Sequence, residues 1–121
     1  MACACGADTG GGPGNAPGTP QTRLTVTVWA DLQGPPRVWR LQCDPPGGDH
    51  PNPAAACAAL DRAPHPFAPV PPGVVCAQIV AGPERARIEG LWRGESVHAT
   101  YKRTDSCEEA RWQALAEVFH L

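Results

Sequence analysis

The stretch that decides the fold is Cys43-Asp44-Pro45-Pro46-Gly47-Gly48-Asp49-His50-Pro51-Asn52-Pro53-Ala54-Ala55-Ala56-Cys57-Ala58-Ala59-Leu60. Its four internal prolines before Ala54 remove backbone donors, and Gly47-Gly48 favours tight turns, so no long regular element fits between the two cysteines. Cys43 and Cys57 therefore look like the two ends of a covalent staple. A chain that closes such a loop with a disulfide is expected outside the cytosol.

Length, charge and cysteine usage limit the classes of function. A chain of 121 residues has room for one domain. The net charge is −2, and basic and acidic residues are interspersed, so the sequence has no basic patch of the kind that binds nucleic acid. No apolar run approaches the roughly 20 residues that span a bilayer, so no membrane span is expected. Six cysteines without a CxxC pair favour disulfides over zinc.

His50 lies midway between Cys43 and Cys57, a position from which it could be a metal ligand with them. The six-residue gaps on both sides of it are unusual for zinc, so a histidine that braces the turn is the preferred interpretation. We therefore predict no metal site and no cofactor.

Catalysis is not expected either. The chain has two serines, Ser96 and Ser106, and neither lies in a nucleophile-elbow context. HExxH, P-loop and paired-carboxylate patterns are absent from the sequence. The sequence therefore predicts a protein that is not an enzyme.

Residues 1–22 form a leader rich in glycine and proline, which predicts a flexible tether. The leader lacks the apolar core of a secretory signal, so we expect that the export signal was removed or lies upstream. Ala2-Cys3-Ala4-Cys5-Gly6 resembles the end of a bacterial lipoprotein signal, which makes Cys5 a candidate for lipidation. Pairing of Cys3 and Cys5 with each other or with another chain is an equally weighted alternative.

The first half of residues 23–121 predicts two strands and a helix. Residues 24–29 alternate apolar and polar side chains, which indicates a half-buried strand. Residues 37–43 form a second strand after a Gly-Pro-Pro turn, and residues 54–62 form a short alanine-rich helix. Residues 64–73 carry five prolines and predict a stiff, exposed connection.

The second half predicts a hairpin and a helix. Residues 74–80 are apolar and are interpreted as strand or loop. Residues 85–92 and 96–103 flank a turn and predict an antiparallel hairpin, and residues 108–119 show helical spacing of large apolar side chains. The order predicts an α+β fold, with an antiparallel sheet of about five strands and two α-helices.

The stapled stretch also resembles a known family. Cys-x-Pro, Gly-Asp-His-Pro and Ala-Cys-x-x-Leu, all within residues 43–60, are similar to the signature of the Streptomyces subtilisin inhibitor family. Further similarities are Val75-Cys76, the Gly-Leu-Trp-Arg-Gly run at 90–94, and Thr104-Asp105-Ser106 before Cys107. The resemblance covers roughly residues 23–121, which we assign to one inhibitor-like domain.

The resemblance implies disulfides Cys43–Cys57 and Cys76–Cys107. It also implies an exported inhibitor of subtilisin-like or trypsin-like serine endopeptidases, usually a homodimer, with a substrate-like reactive loop formed by Cys76, Ala77, Gln78, Ile79 and Val80. By the family pattern Gln78 enters the primary pocket of the protease, and Gln78–Ile79 is the scissile bond. The alternative is a non-inhibitory cell-surface module that retains the fold.

Three positions depart from the pattern of the best-known family members. Ala77 stands where proline or threonine is common, and Ala81-Gly82 adds one residue to the far side of the loop. Asp105 stands where an asparagine often supports the loop, and an ionised aspartate has no donor to offer loop carbonyls. We therefore expect weaker support at Asp105. Because Gln78 is a neutral polar anchor, we also expect weaker binding to subtilisin than a large apolar anchor would give.

Overall fold

The computed structural model describes residues 21–120, in which one antiparallel sheet packs against helices. The elements in chain order are β1 (Thr22–Trp29), β2 (Arg37–Cys43), β3 (Gly47–Gly48), α1 (Pro53–Arg62), β4 (Arg85–Trp92), β5 (Glu95–Lys102), α2 (Ser106–Ala114) and α3 (Ala116–Phe119). The sheet order is β3-β2-β1-β4-β5, and each neighbouring pair is antiparallel. The predicted α+β class with a five-stranded sheet is confirmed. No helix within residues 21–120 is long and apolar enough to cross a bilayer.

The centre of the sheet is β1, which pairs with β2 on one side and β4 on the other. Its residues Leu24, Val26 and Val28 are buried and share one face because side chains alternate along a strand. The register places Leu41 beside Leu24 and Ile88 beside Val26 on the same face. This face is the sheet's half of the core.

The helices cover that face. The helix α1 begins at Pro53, after the Asn52 side chain has accepted the N–H of Ala55 at 3.2 Å. It buries Ala56, Ala59 and Leu60, and the C-terminal helices bury Trp112, Leu115, Val118 and Phe119. Burying each of the larger side chains stabilises the fold by about 1.5–3 kcal/mol.

One element differs from the sequence prediction, and one alternative that the sequence left open is resolved. The single helix predicted for 108–119 is wrong, because the chain leaves the helix at Leu115 and resumes as α3. The break lets Leu115, Val118 and Phe119 all reach the core. Residues 74–80 form a loop, and the fifth strand is the two-residue β3 inside the stapled segment.

Disulfides join Cys43 to Cys57 and Cys76 to Cys107, the pairings that the resemblance implies. The first fastens the end of β2 to α1, and the second joins the 74–80 segment to α2. Cys3 and Cys5 lie outside the described residues, as does nearly all of the predicted leader. The sheet begins at Thr22, one residue before the predicted domain boundary.

His50 braces the stapled segment, in line with its preferred interpretation. The N–H of Asn52 donates to His50 Nδ1 at 2.9 Å, so the ring proton lies on Nε2, which donates to the Val118 carbonyl at 2.7 Å. Burial lowers the pKa of His50, and the neighbouring His120 ring lowers it further. The neutral ring thus ties the turn before α1 to α3.

Candidate functional site: the exposed loop at residues 74–82

The residues predicted to form a reactive loop lie in an exposed segment that leads into β4. Val75, Ile79 and Val80 have exposed fractions of 94%, 63% and 69%, and Gln78 is also exposed. Side chains of this type are usually buried. A run of exposed apolar residues is typical of a surface that contacts another protein.

The Cys76–Cys107 disulfide fixes the near side of this loop. It joins the loop to the first turn of α2, with 5.5 Å between the two Cα atoms and 31 positions along the chain. The loop therefore cannot move away from α2 at this point.

Ser106 holds the residue after that disulfide. The N–H of Ala77 donates to Ser106 Oγ at 2.9 Å, and the N–H of Ser106 donates to the Ala77 carbonyl at 2.9 Å. These reciprocal bonds leave the backbone of Ala77 little freedom. Sequence reasoning missed this role, although a residue directly before Cys107 must lie close to the chain that follows Cys76.

Asp105 supports the loop only indirectly. Its carboxylate accepts the N–H of Glu108 at 2.8 Å and so caps the N-terminus of α2. The cap orders the turn that carries Ser106 and Cys107. The hydrogen bonds to the loop come from the neighbouring Ser106, and loop support by Asp105 itself stays a prediction.

Arg103 organises the far side of the loop. Its carbonyl accepts the N–H of Ala81 at 2.8 Å, and its guanidinium contacts Glu109 at 2.7 Å and Glu84 at 3.3 Å. The Arg103 guanidinium lowers the pKa of Glu109 to about 2. The sequence predicted no role for Arg103, because its partners come from two different parts of the chain, the segment at residues 81–84 and the helix α2.

Gly82 belongs to the additional length of the loop and lies close to the side chains of Glu84 and Arg103. A Cβ built on Gly82 would lie 2.1 Å from Glu84 Oε1, which is too close for two non-bonded atoms, so the glutamate side chain would have to shift. The longer far side thus passes close to the ion pair between Glu84 and Arg103.

Gln78 lies at the tip between the two anchored sides. The N–H of Ile79 donates to the Ala77 carbonyl at 2.9 Å, which closes a three-residue turn around Gln78. The structure therefore brings together the predicted residues Cys76 to Val80 as one exposed segment with a turn at its centre.

The acidic and cysteine side chains at this loop do not form a metal-binding site. Cys76, Asp105 and Cys107 offer ligand atoms within 4.8 Å of one another, but the two sulfurs are bonded to each other. A disulfide has no thiolate to offer a cation. The cluster thus consists of a staple and a helix cap.

The chain is similar to proteins of one family. The model of the family described as "Subtilisin inhibitor-like" matches residues 19–106. Subtilisin inhibitor-like protein 1 of Streptomyces cacaoi is 34% identical over 102 residues, which make up 79% of this chain and 92% of the relative. The fold is similar to that of Streptomyces caespitosus sermetstatin, solved in complex with Bacillus licheniformis subtilisin, with a TM-score of 0.52 and 22% identity over 82% of this chain and 97% of that chain. The resemblance in the sequence is therefore confirmed, and the chain belongs to the subtilisin inhibitor-like family.

Proposed function

We propose that this protein is an exported inhibitor of serine endopeptidases of the subtilisin class, with trypsin-like enzymes as a second class of target. Family membership supports the inhibitory role. The observation that carries the proposal is an exposed loop whose backbone is held on both sides of Gln78–Ile79, by Ser106 and a disulfide on one side and by Arg103 on the other.

The loop binds as a substrate does and is released only slowly as a product. Gln78 enters the primary pocket, the backbone of Ala77 is bonded to Ser106 while its side chain stays exposed to the protease, and Ile79 and Val80 occupy the subsites beyond the scissile bond. If the protease cuts Gln78–Ile79, the disulfide and Ser106 hold the new carboxyl end, and the bond between Ala81 and Arg103 holds the new amino end. The two ends then remain close enough to reseal, because little conformational freedom is gained on cleavage.

The identity of the anchor limits the affinity. Gln78 is uncharged and polar, so it fills an apolar primary pocket less favourably than a large hydrocarbon side chain does. Ala77 lacks the ring that restrains a proline at this position. In its place, the two hydrogen bonds from Ser106 restrain the backbone.

Export and assembly complete the proposal. Two disulfides among the described residues favour an oxidising compartment.

The outer face of the sheet carries the half-buried Trp29 and the exposed Val38, and we propose it as the homodimer contact. Trp39 lies on the opposite face, at the edge of the core, with its ring 5.2 Å from that of His50. Lipidation at Cys5 is a separate proposal, and the intact mass of exported protein tests it.

Titration of active protease tests the inhibitory function. Purified full-length protein is added to a fixed amount of subtilisin or trypsin. The residual protease activity is expected to fall linearly and to reach its minimum when one equivalent of the protein has been added. Gln78→Gly is expected to weaken inhibition by about 1 kcal/mol or more, at least five-fold, because an anchor residue at the centre of the interface is lost. Its thermal unfolding serves as the control and stays unchanged, since Gln78 is exposed.

Two results would overturn the proposal in different ways. If neither protease is inhibited, and no secreted protease of the source organism is either, the protein is a non-inhibitory surface module. If Gln78→Gly inhibits as well as the natural chain, the reactive bond lies elsewhere, and Ile79 becomes the next candidate for the pocket.

A further inference from the structure

The turn between β1 and β2 lies at the same end of the sheet as the reactive loop. Trp29, the last residue of β1, pairs with Arg85, the first residue of β4, and β4 directly follows the loop. A shallow cleft lined by Asp31, Leu32, Gln33 and Pro83 joins the turn to the far end of the loop. The two exposed segments are thus neighbours in space although some fifty residues separate them in sequence.

Leu32 is held outward at the tip of this turn. Its side chain is 74% exposed. The preceding carboxylate, that of Asp31, accepts the backbone N–H groups of Gln33 and Gly34. A Cβ on Gly34 would lie 3.0 Å from Asp31 Oδ1, so glycine lets the carboxylate close the turn. Because the turn is already ordered, a partner that contacts Leu32 orders little additional backbone.

One exposed leucine is ordinary on a protein surface. The position of Leu32 makes it more informative, because the exposed apolar side chains of Ile79 and Val80 lead toward Pro83, which borders the same cleft. Pro83 is four residues after Ile79 and therefore within about 14 Å of it along an extended chain. Pro83 thus lies between the exposed apolar side chains of the loop, which precede it in the chain, and Leu32, which borders the same cleft.

The size of a protease interface requires more than the loop. A specific interface covers about 800 Å² on each partner, a patch about 30 Å across. Five extended residues span at most about 18 Å. A protease seated on residues 76–80 must therefore rest on neighbouring surface as well. On the side of Ile79 and Val80, the neighbouring surface is Pro83 and the tip at Leu32.

We propose that Leu32 and Pro83 form a second contact surface for the bound protease, beyond Ile79 and Val80. The partner is the same serine protease that receives Gln78, through an apolar patch on the rim of its cleft. The inference rests on the proposed function and adds a determinant of which protease is bound. An enzyme with a charged rim at this place is bound less tightly.

Substitution of Leu32 in the full-length chain tests the contact. Leu32→Ala is expected to raise the inhibition constant for subtilisin about three-fold, and Leu32→Asp ten-fold or more. Ala58→Asp is the matched control: it adds the same charge at an exposed position of α1, next to the Cys43–Cys57 staple at the opposite end of the sheet. This control is expected to leave the inhibition constant unchanged, and all three variants are expected to stay folded.

Gln78→Gly measured in parallel separates the inference from the proposed function. If Gln78→Gly weakens inhibition and Leu32→Asp does not, the reactive loop stands and the second contact is wrong. If the natural chain inhibits no protease, both fail. If Leu32→Asp changes only self-association in sedimentation experiments, the tip contacts a second copy of this chain, and the inference is overturned. Hydrogen exchange gives an independent result: the amides of residues 31–34 are expected to become protected when subtilisin binds.

Discussion

Ser106 shows how a single residue can determine the geometry of a loop that it does not belong to. Its hydroxyl and its amide both bond to Ala77, and the next residue carries the disulfide to Cys76. Position 77 is therefore restrained by the scaffold even though alanine itself imposes no restraint.

Removing the hydroxyl of Ser106 should loosen the loop without unfolding the domain. Ser106→Ala loses one hydrogen bond, which corresponds to about 1 kcal/mol. We expect hydrolysis of the loop by subtilisin to become about five-fold faster, as measured by the disappearance of intact protein. Ser96→Ala, at an exposed position of β5, is the control and should behave as the natural chain does. Equal hydrolysis rates for the two variants would contradict the role assigned to Ser106.

Asp105 should matter for helix stability through its carboxylate oxygen, because that oxygen caps α2. Asp105→Ala is expected to lower the free energy of unfolding by about 1 kcal/mol, whereas Asp105→Asn retains a capping oxygen and should change it by a few tenths. Urea unfolding of both variants measures the difference. If alanine is tolerated as well as asparagine, the cap contributes nothing.

The residues of the site differ in how far the sequence could predict them. The family pattern assigns Cys76 and Gln78 to the proposed reactive loop by position. Ser106 and Arg103 act through contacts between segments distant in sequence, and those contacts exist only once β5 and α2 are packed against the loop. No periodicity or local motif marks such residues.

At the scale of elements, His50 makes the junction between the stapled segment and α3 sensitive to pH. The folded chain keeps the ring neutral, since protonation of Nδ1 would break its bond from Asn52. The unfolded ring has an ordinary pKa of about 6.5, and the folded pKa is lower. As pH falls below about 6.5, the unfolded chain binds a proton that the folded chain does not, so the free energy of unfolding decreases. Above that pH this contribution is fully present.

Replacing His50 should therefore change both the free energy of unfolding and the steepness with which that free energy depends on pH. His50→Gln is expected to lower the free energy of unfolding at pH 8 and to reduce its dependence on pH between 7 and 5. His98→Gln, on the exposed side of β5, should keep the slope of the natural chain. Urea midpoints across this range measure both quantities, and an unchanged slope in His50→Gln would assign the pH dependence to other groups.

Most elements were predictable because their signals are local. The alternation in residues 24–29 and the proline and alanines at 53–62 describe β1 and α1 almost residue by residue. The break at Leu115 was not predictable, since residues 108–119 keep helical spacing throughout. It reflects the shape of the core, where Leu115, Val118 and Phe119 are buried together.

At the scale of the whole molecule, both disulfides stabilise the folded chain, but they restrain different parts of it. In the chain-entropy model, Cys43–Cys57 with its separation of 14 contributes about 3 kcal/mol, and Cys76–Cys107 with its separation of 31 contributes about 3–4 kcal/mol. Only the second holds the exposed loop at residues 74–82. Both double cysteine-to-alanine variants should lose stability by comparable amounts, as measured by urea unfolding.

The two variants should differ in their response to protease. Where both are folded, the chain without Cys76–Cys107 is expected to be cut in the loop and consumed as a substrate, while the chain without Cys43–Cys57 continues to inhibit. Peptide mapping after limited exposure to subtilisin separates the two. Loop cleavage at equal rates would mean that the second disulfide is only a stabilising bridge.

The architecture follows from the stapled segment more than from any other part of the sequence. Residues 43–60 led to the family, in agreement with the α+β fold that the order of elements predicts, although none of them lies in the proposed reactive loop. The spatial neighbourhood of the loop, including the β1–β2 turn, became visible only when the strands were assembled.

We propose that a protease treats Gln78–Ile79 as its substrate bond and cannot readily consume the product. The most direct measurement is to incubate the protein with a catalytic amount of subtilisin until the ratio of intact to cut chain is constant, and to map the cut by mass spectrometry after reduction. We predict a single new amino terminus at Ile79, together with a lasting fraction of intact chain. Cleavage at another bond of residues 74–82, or complete degradation, would contradict the account.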